Sequence, residues 1–226
     1  VISFDSAAVV APDGTEILRP ITLTLTEPRV SIVGANGSGK STLARLINGL
    51  IEPTTGSVRI NDLYTVRDGA EVRKAVGFVF TDPAAQLIMP TVIEDVELSL
   101  RRTHKYPRDR RTAAIAALER FGLEALAERS VHTLSGGQKQ LLAIATVLST
   151  SPATLVADEP TTLLDLHNSM RIGDLLMSLA QQVIVVTHDL ELAARADRTL
   201  VVADGSIIFD GDPAEAIAHY RASVTQ

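Results

Sequence analysis

Four short stretches of this sequence hold residue types whose spacing suits phosphate chemistry. The first is GANGSGKST, residues 34–42, set between the apolar run RVSIV and the helical pattern LARLINGL. Its spacing is G-x-x-x-x-G-K-[ST] in the strand–loop–helix context that this motif requires. Gly34, Gly37 and Gly39 let the backbone turn its N–H groups inward around phosphate oxygens, with Ala35, Asn36 and Ser38 completing the loop. Lys40 adds a mobile point charge for the β- and γ-phosphates, Ser41 a hydroxyl for Mg²⁺, and Thr42 a donor near the α-phosphate. The second stretch, TLVADEP (154–160), ends an apolar run in two carboxylates, which is costly unless a cation or a reacting group uses them. Asp158 is placed to hold Mg²⁺ through its water shell. Glu159 is placed to polarise an attacking water as general base. In the third, VTHD, His188 follows the run VIVVT, at a strand end where ligands of parallel sheets bind. From there it can contact a γ-phosphate and orient the water with Glu159. The fourth is LSGGQKQ (134–140), which opens a helical pattern with Leu141, Ile144, Ala145 and Leu148 on one face. Ser135 is a good N-cap. Gly136 and Gly137 leave backbone N–H groups open to close approach, and a helix N-terminus of that kind suits an anion. On local sequence alone, a phosphate site and a plain capped helix both remain open readings.

The elements around these stretches predict an α/β fold. RVSIV (29–33), VGFVF (76–80), TLVA (154–157) and VIVVT (183–187) are short, β-branched and unalternating, as strands of a parallel sheet buried on both faces are. Helical patterns lie between them. VISFD and ITLTLT, near the start, nearly alternate and fit a more exposed antiparallel sheet. Asp204–Gly205 between two apolar runs predicts a hairpin. The region 86–150 holds no convincing strand and reads as a helical lobe inserted between strands of one domain spanning 1–226.

Bulk composition removes several function classes. Net charge is −6, a poor match for non-specific nucleic-acid binding, so phosphate must be held by a local nest. With no cysteine, a disulfide framework and a cysteine zinc site are excluded. No apolar run reaches the length of a membrane span, and VISFDSAAVV lacks the basic and apolar regions of a signal peptide. The expectation is a soluble cytoplasmic protein. His104, His132, His167 and His219 read as surface residues.

Taken in order, the phosphate loop, LSGGQ, the DEP strand end, TTLLD and VTHD resemble the ATPase subunit of ATP-binding-cassette transporters over essentially the whole chain. The resemblance implies a P-loop NTPase fold with a mostly parallel core sheet, an N-terminal antiparallel β subdomain and the helical lobe. It implies ATP hydrolysis with ATP and Mg²⁺ as cofactors. It also implies a second ATPase subunit, an identical copy or a paralogue, paired head to tail. Ser135, Gly136, Gly137 and Gln138 would then close over the γ-phosphate of ATP held by the partner, with Asp165 at the seam. Glu159 and His188 would be catalytic, and Ser41, Asp158 and Thr81 would serve the metal. The stretch DPAAQLIMPTVIEDV (82–96) is similar to ATPases of energy-coupling-factor vitamin and metal importers, most of all the biotin system. That implies a transmembrane coupling protein, a membrane substrate-binding protein, no nucleic acid, and a peripheral place on the inner face of the cell membrane. Cobalt or nickel importers, and non-transport ATPases with the same cassette, are the alternatives. The sequence departs from the family pattern at three places. Thr81 stands where a Gln is usual, with Gln86 five residues on as a possible substitute. No aromatic lies near Val10–Ala11 to stack on adenine. Leu141 replaces the Arg that often follows LSGGQ-x-Q.

Overall fold

The computed structural model describes residues 1–224. Its strands are β1 (Ile2–Val10), β2 (Glu16–Leu25), β3 (Arg29–Val33), β4 (Thr55–Ile60), β5 (Leu63–Tyr64), β6 (Val76–Val79), β7 (Thr154–Asp158), β8 (Gln182–Val186), β9 (Arg198–Ala203) and β10 (Ser206–Gly211). The helices are α1 (Lys40–Asn48), α2 (Gly69–Ala75), α3 (Val92–Leu100), α4 (Pro107–Arg120), α5 (Gly136–Leu148), α6 (Leu166–Ser178), α7 (Leu190–Ala193) and α8 (Pro213–Val224). Two compact units result. The first comprises Val1–Phe78, Ala153–Glu159 and the chain from Leu175 onward, and the second comprises Val79–Pro152 and Pro160–Asp174.

The first unit is built on a six-stranded sheet of order β10-β9-β3-β8-β7-β6. β3 pairs parallel with β8 and with β9, and β7 pairs parallel with β8. Every residue of β7 is buried, as are Val183–Val186 of β8, which is why these runs carry no polar alternation. Leu43, Ala44, Leu46 and Ile47 form the buried face of α1. Ser31 and Thr199 are buried polar residues on adjacent strands, and they satisfy each other through hydroxyls 2.7 Å apart. β9 and β10 form the expected hairpin, with Asp204 and Gly205 at φ 46° and 73°, the two positive values that a type I′ turn needs.

A second, four-stranded antiparallel sheet in this unit has order β2-β1-β4-β5. β1 and β2 match the two alternating N-terminal runs. β4, β5 and α2 were not anticipated. In β4 only Val58 and Ile60 are buried, and in α2 only Val72, too few apolar positions to show a period.

The second unit is helical. Between β6 and β7 the described residues contain no strand. Val92, Ile93, Val96 and Leu100 of α3 are buried, as are Ala114 and Leu118 of α4 and Leu141–Ala145 of α5. Leu141, where the family pattern often has Arg, is only 4% exposed and belongs to this core. Thr91 and Glu94 cap α3 with a reciprocal box in which the Thr91 N–H donates to the Glu94 carboxylate at 3.1 Å. Asp95, 2% exposed, accepts from the N–H groups of Ile88 and Met89 at 2.9 and 3.1 Å, which pins the segment before α3 and presents Ile88 to solvent.

Candidate functional site

The phosphate loop runs from the end of β3 to the first turn of α1. Gly34 has φ 152°, and a Cβ there would lie 2.1 Å from the Val202 carbonyl oxygen of β9. Gly39, the N-cap of α1, has φ 104°, and its Cβ would lie 2.7 Å from Leu18 Cδ2. Only glycine lets the loop pass between these walls. The β9–β10 hairpin braces the loop, because the Gly205 N–H donates to Ser38 O at 3.0 Å. Ser38 Oγ is buried without a hydrogen-bond partner, so the loop holds a hydroxyl with unmet hydrogen-bonding capacity, a feature that fits a ligand-binding loop. The Lys40 ammonium is bent back across the loop and donates to Ala35 O at 2.7 Å. Burial lowers its pKa, while Glu159 and Asp158 act against that shift.

The predicted carboxylates and histidine belong to the same unit as this loop. Ser41 Oγ donates to Asp158 Oδ1 at 2.9 Å. Asp158 is 1% exposed. Burial raises its carboxyl pKa above the ordinary value, against the lowering effects of the Ser41 hydrogen bond and of Arg45, which stands 3.6 Å away. Ser41 and Asp158 thus offer a hydroxyl oxygen and a carboxylate oxygen side by side. That donor set fits Mg²⁺, which usually takes one or two protein oxygens and completes its shell with water and substrate phosphates. Glu159 follows with φ 53°, a left-handed conformation that is uncommon outside glycine and turns the chain away from the strand direction. Its Oε2 lies 2.7 Å from His188 Nδ1 and 3.3 Å from the His188 N–H. The His188 side chain is 60% exposed, whereas that of Glu159 is 14% exposed.

Arg45 is a residue that the motif reading missed. It is four positions after Ser41 on α1, the spacing that places two side chains on one helix face.

The other predicted residues lie in the second unit. Ser135 caps α5: the Gln138 N–H donates to Ser135 Oγ at 3.3 Å, and the Ser135 N–H donates to Gln138 Oε1 at 2.9 Å. The Gln138 side chain is therefore engaged in the cap. Gly137 packs against Asn168, which a Cβ would meet at 2.5 Å, and Asn168 in turn donates to Asp165 at 2.9 Å. Thr81 is half-buried and lines a cavity of about 130 Å³ with Asp82, Gly136, Lys139 and Gln140. Gln86 accepts from the Phe80 N–H at 3.2 Å and donates to Ala143 O at 3.5 Å, so both ends of its amide are engaged within the second unit. In the first unit, the Val10 N–H donates to Thr54 Oγ1 at 2.9 Å.

Comparison with known proteins shows the family. The family model described as ABC transporter matches residues 18–162. The biotin transport ATP-binding protein BioM of Rhizobium etli is 44% identical over 97% of both chains. The energy-coupling factor transporter ATP-binding protein EcfA of Methanosphaera stadtmanae is 41% identical, over 88% of this chain and 75% of its own. Among solved structures, cbiO1 of Clostridium perfringens, described as part of the ABC transporter complex cbiONQ, superposes with TM-score 0.85 and 31% identity, covering 100% of this chain and 93% of its own. The ATP-binding cassette MJ0796, described as a dimer in a post-hydrolysis state bound to ADP and Pi, gives TM-score 0.84 and 32% identity over 94% of this chain and 99% of its own.

Proposed function

The chain belongs to the ABC transporter ATPase family, and from that premise we propose that it is the ATP-hydrolysing subunit of an energy-coupling-factor importer whose cargo is biotin. The cargo reading is supported by the similarity to BioM along 97% of both chains together with the stretch DPAAQLIMPTVIEDV. The named partners are a second ATPase subunit, a transmembrane coupling protein and a membrane protein that binds the substrate. A cobalt or nickel importer is the second reading, since the stretch DPAAQLIMPTVIEDV resembles ATPases of metal importers as well as of vitamin importers.

The observation that carries the catalytic reading is the strand end of β7, where Asp158 is bound to the Ser41 hydroxyl and Glu159 to His188. The loop N–H groups and Lys40 hold the phosphates, and Lys40 exchanges its bond to Ala35 O for one to phosphate oxygen. Ser41 and Asp158 would hold Mg²⁺, which when bound screens the phosphate charge. Glu159 takes a proton from the attacking water as the water oxygen bonds to the γ-phosphorus and the bond to the leaving oxygen breaks. His188 holds the Glu159 carboxylate in one orientation through the 2.7 Å contact and leaves its other ring nitrogen for the γ-phosphate. Gly136, Gly137 and the capped N-terminus of α5 complete the site on a partner subunit's nucleotide, which hides the reacting water when two subunits close. The exposed Ile88 and the Asp95-pinned segment before α3 present a surface for the coupling protein.

The experiment is affinity purification of the tagged chain from its native membranes, followed by uptake of labelled biotin, cobalt and nickel in the reconstituted complex. Recovery of a coupling protein and a substrate-binding membrane protein, with ATP-dependent biotin uptake, is the expected result. Metal uptake without biotin uptake selects the second reading. Recovery of ribosomes or nucleic acid without membrane proteins overturns both.

A further inference from the structure

The turn between α3 and α4, together with the first residues of α4, reads RRTHKYPRDRR, residues 101–111, with six Arg or Lys against one carboxylate in a chain whose net charge is −6. The structure separates these cations by what they touch. Arg111 pairs with Glu97 at 3.4 Å and with Glu128. Arg110 is half-buried and donates to His104 O at 3.3 Å, bracing the turn from behind. Arg101, Arg102, Lys105 and Arg108 are exposed, and among the described residues none of their side chains makes an ion pair or a hydrogen bond. Tyr106 stands among them, 73% exposed.

Local stability does not explain this composition. Tyr106 is the N-cap of α4 and makes no side-chain cap, although Ser, Thr, Asp or Asn at that position would. Arg108 is in the first helical turn, where the helix dipole disfavours a cation, and only Asp109 there is favourably placed. The turn gives up cap and dipole stabilisation to display four unpaired cations around an aromatic ring.

We infer that residues 101–108 are a docking surface for anionic lipid headgroups. Clusters of four to eight Lys or Arg attract acidic phospholipid surfaces, and an amphipathic Tyr suits the headgroup level. Charge complementarity favours a lipid surface over nucleic acid. The turn is the cationic exception in a chain of net charge −6, so an extended polyanion that runs beyond the turn meets repulsion. The inference rests on the transporter reading only in placing a membrane within reach.

The test is co-sedimentation of the full chain with protein-free vesicles of phosphatidylcholine, with or without about 30% phosphatidylglycerol. It is repeated at ~50 and ~500 mM salt, across which screening rises steeply. Each cation near such a surface contributes about fivefold. The quadruple variant Arg101→Gln, Arg102→Gln, Lys105→Gln, Arg108→Gln should therefore lose at least about tenfold in association with the acidic vesicles, with basal ATP hydrolysis unchanged. Tyr106→Ser should lose a smaller factor that salt does not erase. Equal binding to neutral vesicles, no binding at low salt, or full binding by the quadruple variant overturns the inference. Tighter binding to a short oligonucleotide than to acidic vesicles overturns it as well and reassigns the turn to nucleic acid. Should the quadruple variant misfold, the salt series and the pair Lys105→Gln, Arg108→Gln decide in its place. The vesicles contain no transporter protein, so failure here leaves the importer reading standing, and failure to recover membrane partners leaves the lipid result standing.

Discussion

Replacing Gly34 by Ala asks the phosphate loop for a movement whose size the structure sets. The added Cβ would lie 2.1 Å from Val202 O, 3.0 Å from Ser38 Oγ and 3.1 Å from Val202 C. Val202 O cannot retreat easily, because β9 is locked to β3 by the pairs Ile32↔Leu200 and Val33↔Val201. The loop must therefore shift by about 1 Å, a displacement that elsewhere costs up to about a hundredfold in a positioned site. Alanine at φ 152° adds backbone strain of about 1–3 kcal/mol. Gly37→Ala is the internal control: its φ is 79°, but a Cβ there meets nothing within 4 Å. It should cost strain of about 1–2 kcal/mol and little else. The assay is denaturant unfolding together with calorimetric titration of Mg·ATP for each variant. Gly34→Ala should lose more stability than Gly37→Ala and at least about tenfold in ATP affinity, 1.4 kcal/mol being the tenfold step. Equal losses for the two variants would refute the steric argument, and wild-type affinity in Gly34→Ala would refute the role of the loop itself.

Further outcomes follow from other contacts. Ser135→Ala removes the α5 cap and should destabilise the chain by about 0.5–2 kcal/mol in unfolding experiments, while Ser135→Asn, also a good cap, should restore stability but not hydrolysis if Ser135 meets a partner's phosphate. Recovery of both by Asn would reduce the residue to a cap. Asp158 binds a proton more readily in the folded, nucleotide-free chain than when unfolded, so its contribution to stability is full below about pH 4 and lost as pH rises through the raised folded value. The advantage in Tm of Asp158→Asn should accordingly widen from about pH 4 to 7, and a difference independent of pH would contradict the burial argument. Thr81→Val keeps the shape and removes the hydroxyl. It should lower partner-stimulated hydrolysis more than ATP affinity, and equal effects on both in paired rate and binding assays would end its candidacy at the metal.

The parts of this fold that could be read in advance are those in which a local pattern and its tertiary environment agree. VIVVT is unalternating because β8 lies between β3 and β7, with both faces buried. Asp204–Gly205 announced its hairpin because a type I′ turn needs two positive φ values. β4 was missed because its place is set from outside. Gly56, at φ 73°, lies where a Cβ would strike Ser6 O at 2.2 Å, and Ser6 sits at φ 47° where the β1 register slips. Pairing of that kind leaves almost no trace in six residues with two buried side chains. At the candidate site, residue types and spacing carried the loop, the carboxylates and His188 into one unit. The return of Lys40 onto Ala35 O, the 3.6 Å approach of Arg45 to Asp158 and the capping duty of Gln138 depend on side-chain directions that no motif encodes.

If this chain hydrolyses ATP with Glu159 as the base, Glu159→Gln separates binding from turnover. The exchange keeps the side chain's size and its ability to meet His188, and removes the negative charge and with it the capacity to take the proton from water. Mg·ATP binding by calorimetry and phosphate release in the partner-containing complex are measured together on wild type and variant. ATP affinity should stay within about threefold of wild type, and the hydrolysis rate should fall by about 10²–10⁴-fold. A variant that binds ATP normally and still hydrolyses it within about threefold of the wild-type rate would contradict that role for Glu159.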